Sequence, residues 1–310
     1  MNLKECEALI KSLEEEKAKI ENPNSSYFIE LNQQIKRIRK ETYSNLSAWD
    51  RVCLARHIER PKAQDYIECL FDNLIEIHGD RFFGDDPSLY GAIGTFHDMP
   101  VTILAQTKGK NTKENIDRNF GMMQPEGYRK AIRLAKQAEK FNRPIITFVD
   151  TPGAFPGKGA EERGQAEAIA QCLYTFSDIK VPVICIVVGE GGSGGALALS
   201  VADCIVMLEN AVYSILTPEG FATILWKDET MYEKASEVME LTSYDLKDKG
   251  IVDLLIKEPI GKTQECFEIV AQNLNIYIHQ ELVKLKKLKV KDLLEKRYQK
   301  FRKIGELHEK

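Results

Sequence analysis

The chain has 310 residues, enough for one large domain or two small ones, and its 43% hydrophobic and 29% charged content is that of a soluble globular protein. A formal net charge of −4 gives no bulk electrostatic case for nucleic acid. The seven cysteines (Cys6, Cys53, Cys69, Cys172, Cys185, Cys204 and Cys266) include no C-x-x-C pair, so no zinc site is expected, and several sit in apolar runs, which suits buried thiols in a reducing cytoplasm; no apolar run approaches the ~20 residues of a membrane span, and the Lys/Glu-rich start is no secretory signal.

Residues 2–21 place Leu3, Leu9, Ile10, Leu13 and Ile20 at helical spacing. Asn22-Pro23-Asn24-Ser25-Ser26 breaks the pattern, and Ile29, Leu31, Ile35 and Ile38 mark a second helix. A helical hairpin over 1–45 is therefore predicted, either a partner surface or a solvated cap. Farther on, Arg56-His57 and Arg60 suit a phosphate or, more plainly, a surface charge cluster. In the loop Ile77–Asp86, the spacing of His78, Asp80, Asp85 and Asp86 matches no metal template and reads as turn chemistry.

From Tyr90 the pattern alternates. Strands are predicted at 91–96, 100–106, 144–149, 182–188, 204–208 and 212–216, and helices at 126–141, 160–176, 194–202 and 228–240. The order gives an α/β domain over 46–260 with largely parallel strands and βαβ crossovers. The loop Lys108–Asn115 reads as solvated, with a phosphate contact as the alternative. Residues 261–310 are helical and basic, with Leu282, Leu285, Leu288, Leu293 and Leu294 as an apolar face. That suits a packing helix, or a surface for anionic lipid, nucleic acid or a partner.

Two glycine-rich turns each follow a strand and precede a helix: Asp150-Thr151-Pro152-Gly153-Ala154 and Gly189-Glu190-Gly191-Gly192-Ser193-Gly194-Gly195-Ala196. A GTPase switch is rejected for the first, because Gly261-Lys262-Thr263 lacks the upstream glycine of a Walker loop. The second admits several readings. Gly189, Gly191 and Gly194 match the dinucleotide fingerprint, with Glu209 about 20 residues on as the ribose acid. Gly191, Ser193 and Gly195 match a serine-hydrolase elbow with Ser193 as nucleophile, but only His279 and His308 follow it as bases. An oxyanion hole of bare peptide N–H groups needs no base and gives the other turn a role as well. A close helix–strand packing turn is the plain alternative.

The longer strings settle a family. Ile77-His78-Gly79-Asp80-Arg81, Thr112-Lys113-Glu114-Asn115-Ile116, Asn119-Phe120-Gly121-Met122, Pro125–Ala131, Asp150–Ala154, Ala160–Gln165, Gly189–Leu199, Pro218-Glu219-Gly220 and Ile224–Lys227 together resemble the α subunit of bacterial acetyl-coenzyme A carboxylase carboxyltransferase, over nearly the whole chain. Thr107, Lys110, Met123-Gln124 and Phe221 depart from that family's usual residues. The resemblance implies a crotonase-like spiral of ββα units with helices at both ends. It implies carboxyl transfer from carboxybiotin, borne on the biotin carboxyl carrier protein, to acetyl-CoA, giving malonyl-CoA for fatty acid biosynthesis. It also implies a β subunit, in an α2β2 assembly, that holds a zinc ribbon and most of the coenzyme A site, with biotin carboxylase in the larger complex. Gly194 and Gly195 would hold the biotin oxygen by backbone N–H. Gly153, Ala154, Gly191, Gly192, Ser193 and Ala196 would line the crevice.

Overall fold

A computed structural model of the protein describes residues 3–261, 264 and 266–306; Lys262, Thr263 and His308 lie outside the described residues. The chain opens with α1 (Leu3–Ala18) and α2 (Ser26–Ser44), the predicted hairpin. Ile10, Leu13, Leu31 and Ile35 form its own small core, and the Ser25 hydroxyl accepts from the Phe28 N–H to start α2. Next come α3 (Ala48–Arg56), capped by a Ser47/Asp50 box, and α4 (Ala63–Leu70).

The strands are β1 (Asp72–Glu76), β2 (Leu89–Phe96), β3 (Met99–Gln106), β4 (Ile145–Thr151), β5 (Val183–Gly192), β6 (Cys204–Leu208), β7 (Val212–Ser214) and β8 (Leu254–Ile256). They form one sheet in the order β1-β2-β3-β4-β5-β6-β8. β1, β2 and β3 are antiparallel, and from β3 onward neighbours are parallel. β5 has two sets of partners. Its apolar half, Ile184–Val187, lies between β4 and β6, whereas its glycine end, Glu190–Gly192, pairs with β7. The central strands are buried on both faces, which is why they read as continuous apolar runs.

The remaining helices are α5 (Thr112–Asp117), α6 (Pro125–Lys140), α7 (Lys158–Glu162), α8 (Gln165–Asp178), α9 (Ser193–Leu197), α10 (Pro218–Trp226), α11 (Tyr232–Met239), α12 (Ser243–Asp248), α13 (Phe267–Leu285) and α14 (Val290–Lys303). Three predicted helices differ. The span 160–176 is split at Gly164, whose φ of +82° ends one helix and starts the next. The span 194–202 is helical only to Leu197. The span 228–240 begins as a 3-10 turn and becomes α-helical at Tyr232.

The basic C-terminal stretch packs on the sheet: Leu274, Ile278, Leu282, Leu285 and Leu293 join the main core. Arg297 fastens it. Its guanidinium, almost fully buried, meets both oxygens of Asp203 (2.9 and 2.7 Å) and the carbonyls of Phe176, Ile179 and Val181. Asp203 also accepts from the Val183 N–H at the start of β5. Removing one member of such a pair strands the other charge without water. Arg297→Met is expected to lower the unfolding free energy by about 3–5 kcal/mol, measured by urea denaturation; an unchanged midpoint would show that α14 docks through its leucines alone.

Candidate active site

The site is made where β4 and β5 end. β5 is apolar to Val188, then turns through Gly189-Glu190-Gly191-Gly192 into α9. These glycines are contact points. A Cβ on Gly189 would lie 2.4 Å from the Asp150 carboxylate, one on Gly191 would lie 2.2 Å from the Tyr213 ring, and one on Gly192 would lie 2.0 Å from the Pro152 carbonyl oxygen. At Gly195 the space belongs to main chain of the other turn, Ala154 N and Gly153 C, each 2.6 Å away. The two glycine-rich turns therefore touch backbone to backbone, and no larger residue fits between them.

Gly194 differs. Its nearest neighbour to an added Cβ is Ile169 at 3.7 Å, an ordinary contact. Ser193 is exposed and sits in the left-handed region at φ +54°, which tips the chain into α9. The N–H groups of Gly194 and Gly195 fall in the first turn of α9, where no intrahelical acceptor exists, and among the described residues no protein acceptor meets them. With only five residues, α9 contributes little macrodipole, so any anion affinity here is that of the individual N–H donors.

Of the other predicted crevice residues, Gly153 donates its N–H to the Thr151 hydroxyl at 3.1 Å. Ala196 is fully buried in the main core. Gly191 and Gly192 are buried as well, held by Tyr213 and Pro152.

Beneath the turns lies an ion network that sequence reading did not anticipate. Lys108, expected on a solvated loop, is largely buried and reaches Asp150 at 2.9 Å and Glu190 at 2.6 Å. Arg56 meets Glu190 at 2.7 Å and Glu219 at 2.6 Å. Asp150 also accepts from the Glu190 N–H. Burial works against each charge. The pairing outweighs it: Lys108 is held above the usual lysine range by Asp150 and Glu190, and Glu190 is held below the usual carboxylate range by Lys108 and Arg56. The signal in the sequence was a glutamate inside a buried strand end.

Other candidates resolve differently. Arg60 is buried against Glu258 and the Val188 carbonyl, and Arg56 is committed to two glutamates, so neither is a free phosphate ligand. Asp80 accepts from the N–H groups of Phe82, Phe83 and Gly84, Asp86 accepts from Ser88, and Asp85 pairs with His78 and Lys130; these are turn and packing roles. No group of three metal-ligating side chains occurs among the described residues.

Glu209 is engaged by Tyr244, Lys257 and the Glu258 N–H, which removes the dinucleotide acid. Of the fingerprint glycines, Gly189 and Gly191 are filled by Asp150 and Tyr213, and only Gly194 faces open space. His279 stacks on His97, 4.3 Å between ring centres, and no hydrogen bond joins Ser193 to a base among the described residues. Among the described residues the hydrolase reading has no proton acceptor; its other histidine, His308, lies outside them.

Comparisons with known proteins bear on family and fold. Residues 1–305 match the family model described as acetyl co-enzyme A carboxylase carboxyltransferase-like. Acetyl-coenzyme A carboxylase carboxyl transferase subunit alpha of Alkaliphilus oremlandii is 54% identical over 281 residues, 90% of this chain and 89% of that protein. The protein of the same name from Bacillus cytotoxicus is 53% identical over 277 residues, 89% of this chain and 86% of its own. Among solved structures, transcarboxylase 12S superposes with a TM-score of 0.57 at 21% identity, over 74% of this chain; this chain spans only 44% of that one. A Pseudomonas malonate decarboxylase hetero-tetramer chain gives 0.55 at 17% identity, over 69% of this chain and 86% of its own. Fold and family match thus define a crotonase-like domain of the carboxyltransferase type. The chain belongs to the acetyl-coenzyme A carboxylase carboxyltransferase family, as an alpha-subunit member.

The ion network carries a pH signature. Glu190 titrates lower folded than unfolded, so its contribution is complete above the unfolded glutamate pKa, about 4.3, and is lost as pH falls through the lower folded value. Glu190→Gln should lower stability at pH 7 and flatten the acid limb of stability against pH, read from urea midpoints across a pH series. A variant whose acid limb matches the parent's would place the acid-labile pairing elsewhere.

Proposed function

We propose that this protein is the α subunit of an acetyl-CoA carboxylase carboxyltransferase. In the cytoplasm it would move a carboxyl group from carboxybiotin on the biotin carboxyl carrier protein to acetyl-CoA, giving malonyl-CoA for fatty acid biosynthesis. The relatives that support this reading carry that subunit's name at 53–54% identity. The observation that carries it is the pair of unclaimed N–H groups, Gly194 and Gly195, at a turn with one open side. Active enzyme would require the β subunit, in an α2β2 assembly, with the zinc ribbon and most of the coenzyme A site on that partner and biotin carboxylase in the larger complex.

Carboxybiotin supplies the carboxyl group and, after its release, the base. This chain supplies donors and position. The two N–H groups lie where they can donate to a ureido oxygen as negative charge develops on it. They need no reorganisation, because the Gly153–Ala154 main chain buttresses Gly195 from behind. A rigid floor also keeps the donor ring and the acetyl methyl in register, where the effective-concentration gain arises.

The open space at Gly194 makes it the cleaner probe, since a side chain at Gly195 would collide with main chain. With the β subunit, carboxybiotin and acetyl-CoA present, Gly194→Val keeps the peptide N–H but sets a branched side chain in the open space where the substrate oxygen would sit; it is expected to lower malonyl-CoA formation by about 10²–10³, as much as the loss of one oxyanion donor. Gly194→Ala should stay within about tenfold. Ser193→Gly, which relieves the left-handed strain, should retain turnover, and a fluorophosphonate should leave Ser193 unlabelled. Full turnover by an assembled Gly194→Val enzyme would refute the oxyanion reading; labelled Ser193 would restore the hydrolase.

A further inference from the structure

Gln106 stands at the end of β3, fully buried. Its Nε2 donates to the Gly195 carbonyl at 2.7 Å and lies 3.4 Å from the Met123 sulfur. Its Oε1 is buried with no partner. A buried acceptor left bare is costly, and an aliphatic side chain would avoid that cost. The carboxamide is therefore explained by its N–H, and by what that N–H holds.

What it holds is the one residue of α9 that the helix cannot hold itself. Past Leu197 the helix tightens: the Ala198 N–H bonds the Gly194 carbonyl, but the Leu199 N–H bonds Ala196 rather than Gly195. The Gly195 carbonyl is thus without a main-chain donor, on a residue with no Cβ to restrict its ψ. Gln106 supplies the donor from across the sheet, 89 residues away in sequence. The N–H and C=O of Gly195 share one Cα, so the bond that fixes the carbonyl also limits where the N–H points.

A second buried glutamine serves the facing turn. Gln165 donates to the carbonyls of Phe155 and Met123, at 2.9 and 2.8 Å, and its own Oε1 is also bare. Met123 links the two: its sulfur meets Gln106, and its carbonyl accepts from the Phe155 N–H at 3.0 Å.

We propose that Gln106 is a positioning residue for carboxyl transfer, holding the Gly195 peptide so that its N–H stays aimed at the developing oxygen charge. The inference rests on the Gly194–Gly195 reading above.

The test uses the full chain assembled with its β subunit. Gln106→Met keeps length and removes the donor. Gln106→Glu removes it only while ionised, and burial raises a carboxyl pKa into an accessible range. At pH 9 both variants should lose about 100-fold in kcat, the scale of a misplaced reacting group, with KM for acetyl-CoA within about twofold. Between pH 9 and pH 6.5 the Gln106→Glu deficit, taken against the parent at each pH, should shrink about tenfold as the protonated carboxyl donates to Gly195. The Gln106→Met deficit should not change. Parent-like kcat in Gln106→Met, a Gln106→Glu deficit that ignores pH, or a loss confined to KM would overturn the proposal. If Gln106→Glu fails to assemble, kcat of Gln106→Met decides. Should Gly194→Val be inactive while Gln106→Met is fully active, only this inference falls; if Gly194→Val is active, the reading beneath it falls.

Discussion

The structure depends on two stretches of bare main chain touching each other. Gly192 lies against Pro152, and Gly195 lies against Gly153 and Ala154, at separations that leave no room for a single added carbon. Close approach of this kind brings polar backbone groups together away from water, and each then needs a partner. Most find one inside the protein: Thr151 for Gly153, Gln106 for the Gly195 carbonyl, and Ser200 and Leu199 for the Ala196 carbonyl. Among the described residues the N–H groups of Gly194 and Gly195 find none, and under the proposed function they are the pair that substrate would complete.

The charges below hold the turns in place. Lys108 bridges a carboxylate from the end of β4 and one from the end of β5, and Arg56 extends the chain of pairs to α10 through Glu219. Buried ion pairs gain little net stability once desolvation is counted, but losing one partner is expensive. They suit a role of fixing register between strands. Gly189 belongs to the same arrangement, since its missing Cβ admits the Asp150 carboxylate.

Much of this was legible in the chain, and the exceptions have physical causes. β3 to β6 were readable because strands buried on both faces are unbroken apolar runs. β1, Asp72–Glu76, was not, because an edge strand with exposed polar residues has no such pattern; β8 has only three residues. α9 was overextended because Ala198 and Leu199 are good helix formers, but there the backbone tightens to shorter-range bonds. The two glycine turns were visible as main-chain sites. Which glycine faces protein and which faces open space was not, since Gly194 and Gly195 are identical in sequence and opposite in surroundings. Lys108 read as a loop lysine because its partners, Asp150 and Glu190, are 42 and 82 residues away. The long motif strings carried the family where composition and periodicity did not reach it.

The proposed chemistry rests on two main-chain N–H groups, and the most direct measurement removes one of them without adding a side chain. Incorporating the hydroxy-acid counterpart of glycine at Gly195 replaces its N–H by an ester oxygen and leaves the packing against Ala154 intact. In the assembled enzyme, kcat for malonyl-CoA formation should fall about 10²–10³ while KM for acetyl-CoA is unchanged; undiminished kcat would contradict the role assigned to that amide.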